Sequence, residues 1–194
     1  RLSTRHARDL LALDFKSKWA ISLRVYCFIY KGRFMTIKPG DCIPSATLFI
    51  MGADGPTSSP TNDLFKGKKV AMFGLPGAFT PTCSAEHVPS YLSNAAALKE
   101  KGIDSIICLS VNDAFVMKAW GKELDVGDNI IMASDGNALF SKAMGLDFDL
   151  TEHGMGMRCQ RFSMIVDDGV VSELNLEPPG EYRISSAETM LEQL

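Results

Sequence analysis

A short apolar run, Val70-Ala71-Met72-Phe73, leads directly toward Pro76-Gly77-Ala78-Phe79-Thr80-Pro81-Thr82-Cys83, and this junction constrains the fold more than any other segment. A buried strand has to end where the Pro/Gly turn closes, and a helix has to open at the cysteine. The first-turn N–H groups of a helix lack internal partners, and the aligned peptide dipoles leave partial positive charge beside them. Negative charge on a sulfur is favoured there, and the thiolate is the reactive form of cysteine. Thr80, three residues upstream, adds a hydroxyl that can donate and accept near the sulfur. The pattern describes a redox cysteine on a strand–turn–helix unit, not a packing residue.

From Met35 onward the chain alternates strand and helix patterns. Residues 46–51 read as an early strand, 52–61 as a loop punctuated by Gly55-Pro56 and Ser58-Ser59-Pro60, and 69–73 as a short buried strand. Residues 83–101 carry Val88, Leu92, Ala95 and Ala96 on one helical face, with a kink expected at Pro89 and a stop at Gly102. Residues 103–111 have the composition of a strand buried on both faces. Asn112 is placed to cap a helix whose stripe is Val116, Ala119 and Trp120. Residues 129–133 form a third core strand, followed by a turn at Ser134-Asp135-Gly136 and a short helix to Met144. The Asp167-Asp168-Gly169 turn joins 161–166 to 170–176 as a hairpin, and Ser185-x-x-Glu188 opens a final helix with Ala187, Met190, Leu191 and Leu194 inward. Such an order describes an α/β sandwich with a mixed central sheet flanked by helices.

A length of 194 residues suits one domain with a full core. The formal charge of −3 gives no global attraction to nucleic acid or anionic lipid. Cys27, Cys42, Cys83, Cys108 and Cys159 are nowhere closer than fifteen positions and include no C-x-x-C, and the three histidines make no ligand spacing, so no metal site is expected. An odd number of cysteines fits a reducing compartment better than a secreted disulfide scaffold. Residues 1–34 differ from the rest, with eight Lys/Arg against two acids. Their apolar stretch Trp19–Tyr30 is twelve residues long and interrupted by Arg24, against the ~20 residues a membrane helix needs. These residues read as an N-terminal extension preceding a domain of residues 35–194: either an organelle-targeting presequence or a segment of other origin. The first reading places the protein in a mitochondrion or other organelle, the second in the cytoplasm.

Pro76-x-x-x-Thr80-x-x-Cys83 resembles the active-site motif of peroxiredoxins. The longer string through Ser84, with Glu86-His87-Val88-Pro89 after it, resembles the type II or peroxiredoxin-5 branch. Likeness continues through Ser110-Val111-Asn112-Asp113, Phe115–Trp120, Ser134-Asp135-Gly136 and Gly156-Met157-Arg158 to Arg161-Phe162-Ser163-Met164, covering about residues 35–194. The resemblance implies a thioredoxin-like fold, which the strand and helix order meets, and a thiol peroxidase acting on hydrogen peroxide and alkyl hydroperoxides. It implies that Cys83 is the peroxidatic cysteine and forms a sulfenic acid. It further implies that Thr80 hydrogen-bonds thiolate and peroxide, that Pro76 shields the site from water and that Arg161 is the active-site arginine. No cofactor is implied beyond an external thiol, glutaredoxin with glutathione or thioredoxin. A homodimer with Phe79 in the contact is also implied.

Several residues stay open. Arg158 is an alternative to Arg161. His87 either faces the pocket or sits at the solvent edge. Cys108, 25 residues after Cys83, matches the resolving cysteine of plant-like members or is simply a core thiol. Cys159 has either a lowered pKa, from its arginine neighbours, or a partly buried and inert thiol, and Cys42 matches no role. A peroxide sensor that relays oxidation to a partner protein would use the same Cys83. A disulfide reductase is disfavoured without C-x-x-C.

Overall fold

Burial on both faces explains why the central strands form where they do. The computed structural model describes residues 35–194; the expected presequence and Cys27 lie outside the described residues. Strands β1 (Thr47–Met51), β2 (Pro56–Pro60), β3 (Lys69–Leu75), β4 (Ser105–Ser110), β5 (Ile131–Ser134), β8 (Phe162–Asp167) and β9 (Val170–Leu176) form one sheet in the order β2-β1-β5-β4-β3-β8-β9. β3 runs parallel to β4, and β4 to β5, while β8 is antiparallel to β3 and β9 to β8. The sheet is therefore mixed, with its apolar β3 and β4 next to each other near the centre. Alternation sorts the side chains: Ala71, Phe73, Leu75, Ile106, Cys108 and Ile165 pack on one face, and Val70, Met72, Ile107, Leu109, Phe162 and Met164 on the other.

The first face is covered by helices α2 (Val88–Ser93), α3 (Ala95–Glu100), α4 (Ala114–Glu123) and α6 (Ala187–Gln193), which contribute Tyr91, Leu98, Met117, Trp120 and Met190 to its core. The second face carries Phe65 of α1 (Thr61–Phe65) and Phe140 of α5 (Leu139–Ala143). A separate hairpin of β6 (Asp147–Leu150) and β7 (Gly156–Cys159) stands before β8. Among the described residues no helix is long and apolar enough to cross a membrane.

Five local expectations change. The loop 52–61 contains β2, which closes an antiparallel hairpin on β1. The helix expected over 83–101 is three pieces: a π-helix at Cys83–His87, then α2, then α3 after a break at Asn94. Pro89 sits in the first turn of α2, where its missing N–H costs nothing, so no kink is needed. Asp113, not Asn112, caps α4 by accepting the Val116 N–H, and the buried stripe is Ala114, Met117, Trp120 and Gly121, leaving Ala119 exposed. Ser186 caps α6 by accepting the Thr189 N–H, one position after the expected Ser185.

Candidate active site

The turn after β3 is built by side chains from three other segments. Gly74 allows the first close approach, because a Cβ there would lie 2.1 Å from the Phe162 ring. Asn112 Oδ1 then accepts the Ala78 N–H at 2.9 Å and the Ser110 hydroxyl at 2.7 Å, tying the turn to the end of β4. That is the work Asn112 does in place of capping. Phe79 follows with φ of 59°, a left-handed conformation uncommon outside glycine, and its side chain is 57% exposed. Helical backbone begins at Pro81, so Cys83 sits in the first turn, and its carbonyl accepts the Val88 N–H across the wider π-helical turn. The neighbouring Ser84 Oγ is held by the Trp120 indole N–H at 3.1 Å.

Cys83 is buried, at 1% exposure. Arg161, just ahead of β8, brings Nη2 to 3.5 Å from its sulfur. The Thr80 hydroxyl donates to the Gly77 carbonyl at 2.8 Å, which leaves its oxygen lone pairs available as acceptors. Arg158 does not compete for the cysteine: its Nε donates to Met155 O at 2.7 Å and its Nη1 to Pro76 O at 3.4 Å, bracing the turn from β7. Arg161 is the cation the fold brings to Cys83.

His87 is fully buried, not at the solvent edge. Its Nε2 lies 3.1 Å from the Ser185 carbonyl, which can only accept, so the proton belongs on Nε2. Nδ1 is then left with a lone pair and accepts from Arg161 Nη1 at 3.0 Å. Burial, reinforced by the positive charge of Arg161, lowers the His87 pKa to about 3 against a small opposing effect of the Ser185 carbonyl. The ring is a neutral imidazole throughout the physiological range. Tyr182 covers this pair, with its ring 5.0 Å from the His87 ring and 5.7 Å from the Arg161 guanidinium carbon.

Two further thiols among the described residues, Cys108 and Cys159, are remote from solvent, whereas Cys42 is half-buried. Cys108 lies wholly inside β4, opposite Phe73 in register and on the same sheet face as Cys83; burial first, then the neighbouring Cys83 and Cys159, push its pKa well up. Cys159 is also completely buried, and burial pushes its thiol up to about 12, the reverse of an arginine-lowered value. Of the residues anticipated, Cys83 and Arg161 meet directly. Thr80 and Pro76 belong to the same turn through Gly77 and Arg158. Tyr182 and Glu177 had no local signal, and Ser185 was legible only as a helix cap, since their roles at the site depend on a chain return from β9 that no spacing encodes.

A thioredoxin-like sheet with a helix-opening cysteine under an arginine defines a thiol redox enzyme of this fold class. The redoxin family model matches residues 38–191. Peroxiredoxin-2E, chloroplastic, of Arabidopsis thaliana is 47% identical over 98% of this chain and 84% of its own length. Peroxiredoxin-2F, mitochondrial, of the same plant is 38% identical over 100% of this chain and 98% of its own. Among solved structures, reduced Prx3 of Vibrio vulnificus in complex with hydrogen peroxide superposes with a TM-score of 0.79 at 48% identity, covering 81% of this chain and 99% of that one. This chain belongs to the peroxiredoxins, within the redoxin family. It is a thiol-dependent peroxidase, an oxidoreductase.

Proposed function

We propose that Cys83 is the peroxidatic residue and that it reduces hydrogen peroxide and small alkyl hydroperoxides without metal or flavin. The observation that carries this is the Arg161 guanidinium 3.5 Å from a cysteine sulfur in the first turn of a helix. In the reaction the Cys83 thiolate attacks the terminal oxygen of ROOH. An S–O bond forms, the O–O bond breaks, and the departing alkoxide takes a proton to leave as ROH. Cys83 is left as the sulfenic acid. Negative charge develops on the leaving oxygen, where a fixed guanidinium stabilises it. Thr80, its own proton committed to Gly77, accepts the peroxide O–H and orients it. Pro76 closes the turn against water. The bound peroxide of the Vibrio neighbour is consistent with this substrate class.

Reduction of the sulfenic acid requires two thiol equivalents: the first releases water and forms a mixed disulfide, the second frees Cys83. We assign both to an external thiol, glutaredoxin with glutathione or thioredoxin, because Cys108 is wholly buried inside β4. Mapping after one equivalent of hydrogen peroxide tests the scheme. A trapped sulfenic acid at Cys83 alone is the expected product. A Cys83–Cys108 linked peptide would move resolution to Cys108 and require the π-helix to unwind, since bridged Cα atoms lie within about 7 Å. Cys83 staying reduced while other thiols react would overturn the assignment.

A homodimer using the Phe79 turn is supported by that ring's exposure beside the site; sedimentation of Phe79→Arg should show a shift toward monomer. An organellar location is favoured over the cytoplasm by the basic composition of residues 1–34 and by chloroplastic and mitochondrial names among relatives that align over nearly the whole chain.

A further inference from the structure

Glu177 follows β9 and is buried at 4% exposure, yet it is no part of the turn that carries Cys83. Its Oε1 accepts the N–H groups of Arg183, Ile184 and Ser185 at 2.7, 2.7 and 2.8 Å, and the Ser185 hydroxyl at 2.9 Å. One carboxylate oxygen thus gathers three consecutive amides into a tight turn and fixes where the Ser185 carbonyl points. That carbonyl receives both His87 Nε2 at 3.1 Å and the Tyr91 hydroxyl at 3.0 Å. His87 Nδ1 in turn accepts from Arg161 Nη1, and Arg161 Nη2 reaches the sulfur. The Glu177 N–H donates to the Arg161 carbonyl at 3.0 Å. Arg161 and Glu177 also line one small cavity of about 60 Å³.

The contacts close a ring: Arg161 carbonyl, Glu177 N–H, Glu177 carboxylate, Ser185, His87, Arg161 guanidinium. Backbone and side-chain ends of the same arginine are held by one acid. We propose that Glu177 is a positioning residue for Arg161, acting through Ser185 and His87 to aim the guanidinium at the reacting sulfur. This rests on the reading of Cys83 as the peroxidatic residue. A guanidinium on a flexible stem contributes to a transition state only if its direction is set beforehand, and a misplacement of about 1 Å can cost roughly a hundredfold in rate. A mere clasp for the 183–185 turn would need no link to the arginine, whereas here the turn's last carbonyl leads straight to it.

The test is the second-order rate constant for Cys83 oxidation by hydrogen peroxide, read by rapid quench into a sulfenic-acid trap. It is measured for wild type, Glu177→Ala and Glu177→Gln, and for the same pair in an Arg161→Lys background. Glu177→Ala should lose about tenfold or more. Glu177→Gln, which keeps an oxygen acceptor for the same donors, should recover most of that loss. With Arg161→Lys the Glu177→Ala change should fall below about twofold, because coupled residues are not additive. Equal losses in both backgrounds, or no loss at all, would overturn the proposal. Should Glu177→Ala not fold, two His87 variants carry the same question. His87→Asn keeps an acceptor near Nδ1 for Arg161, and His87→Gln keeps a donor near Nε2 for Ser185. The ring requires both to be slower than wild type, because each keeps only one of the two links; a wild-type rate in either variant would refute it. If wild-type Cys83 itself fails to react, the reading of the site fails; if it reacts normally and the variants do not separate from it, only the ring does.

Discussion

At the residue scale the site divides its work between groups whose chemistry cannot be interchanged. Arg161 supplies a planar guanidinium with two N–H edges used at once, one on His87 and one on Cys83. Thr80 supplies an acceptor whose own proton is committed elsewhere. Replacing Thr80 with Val keeps the shape and removes the hydroxyl. Peroxidase kcat/KM should fall about a hundredfold, as for loss of one oriented polar group in a preorganised site. Thr80→Ser should retain most activity, and steady-state assays of the two side by side check this. Folding stability should change by only about 1 kcal/mol, since the hydroxyl makes a single neighbouring-turn hydrogen bond.

At the scale of elements, the meeting of β3 and β8 sets where the arginine starts. Gly74 pairs with Phe162, and the ring of Phe162 lies across the glycine where no Cβ would fit. Because Arg161 immediately precedes Phe162, packing on one face of the sheet fixes the origin of a side chain used at the end of it. Gly74→Ala should overpack this contact at a cost of about 1–3 kcal/mol and slow Cys83 oxidation by shifting Arg161. Thermal melts together with peroxide kinetics would show both effects. Adding Phe162→Leu should return part of the stability. Elements also account for what the sequence misled about. Asn112 has the chemistry of a cap, but Asp113 stands one residue nearer the helix, and Asn112 is drawn instead to the Ala78 amide. Residues 56–60 look like punctuation and become a strand because the β1 edge offers them partners.

Across the whole molecule the buried imidazole links the site to stability. His87 is neutral when folded down to about pH 3, while an unfolded histidine takes up a proton near 6.5. Below pH 6.5 the unfolded chain therefore binds more protons than the native one. Stability is full above that pH and declines as pH falls toward 3, with a slope of at most roughly 1.4 kcal/mol per unit from this one group. Glu177 acts lower: burial pushes its carboxyl up, but the amides of Arg183, Ser185 and Ile184 and the Ser185 hydroxyl outweigh it and hold it below the ordinary 4.5. Its contribution is present above that ordinary value and is lost on further acidification. Denaturant titrations between pH 4.5 and 8 should show the His87 slope in wild type and its loss in His87→Asn.

Much of this was written along the chain. The apolar run, the Pro/Gly turn, Cys83 and the hairpin at Asp167-Asp168-Gly169 are local patterns, and local patterns follow from backbone sterics, burial period and helix-end chemistry. Their order gave the mixed α/β class, and the motif through Arg161 gave the family. Sequence left Arg158 and Arg161 undecided, and it left His87 between pocket and surface. Only the tertiary structure decided these: the return of the chain after β9 sets Ser185 and Tyr182 against His87, with Glu177 holding Ser185 from behind, while Arg158 is spent on the Pro76 turn. Such contacts join residues up to 98 positions apart, so they depend on how elements pack, and no spacing along the chain records them.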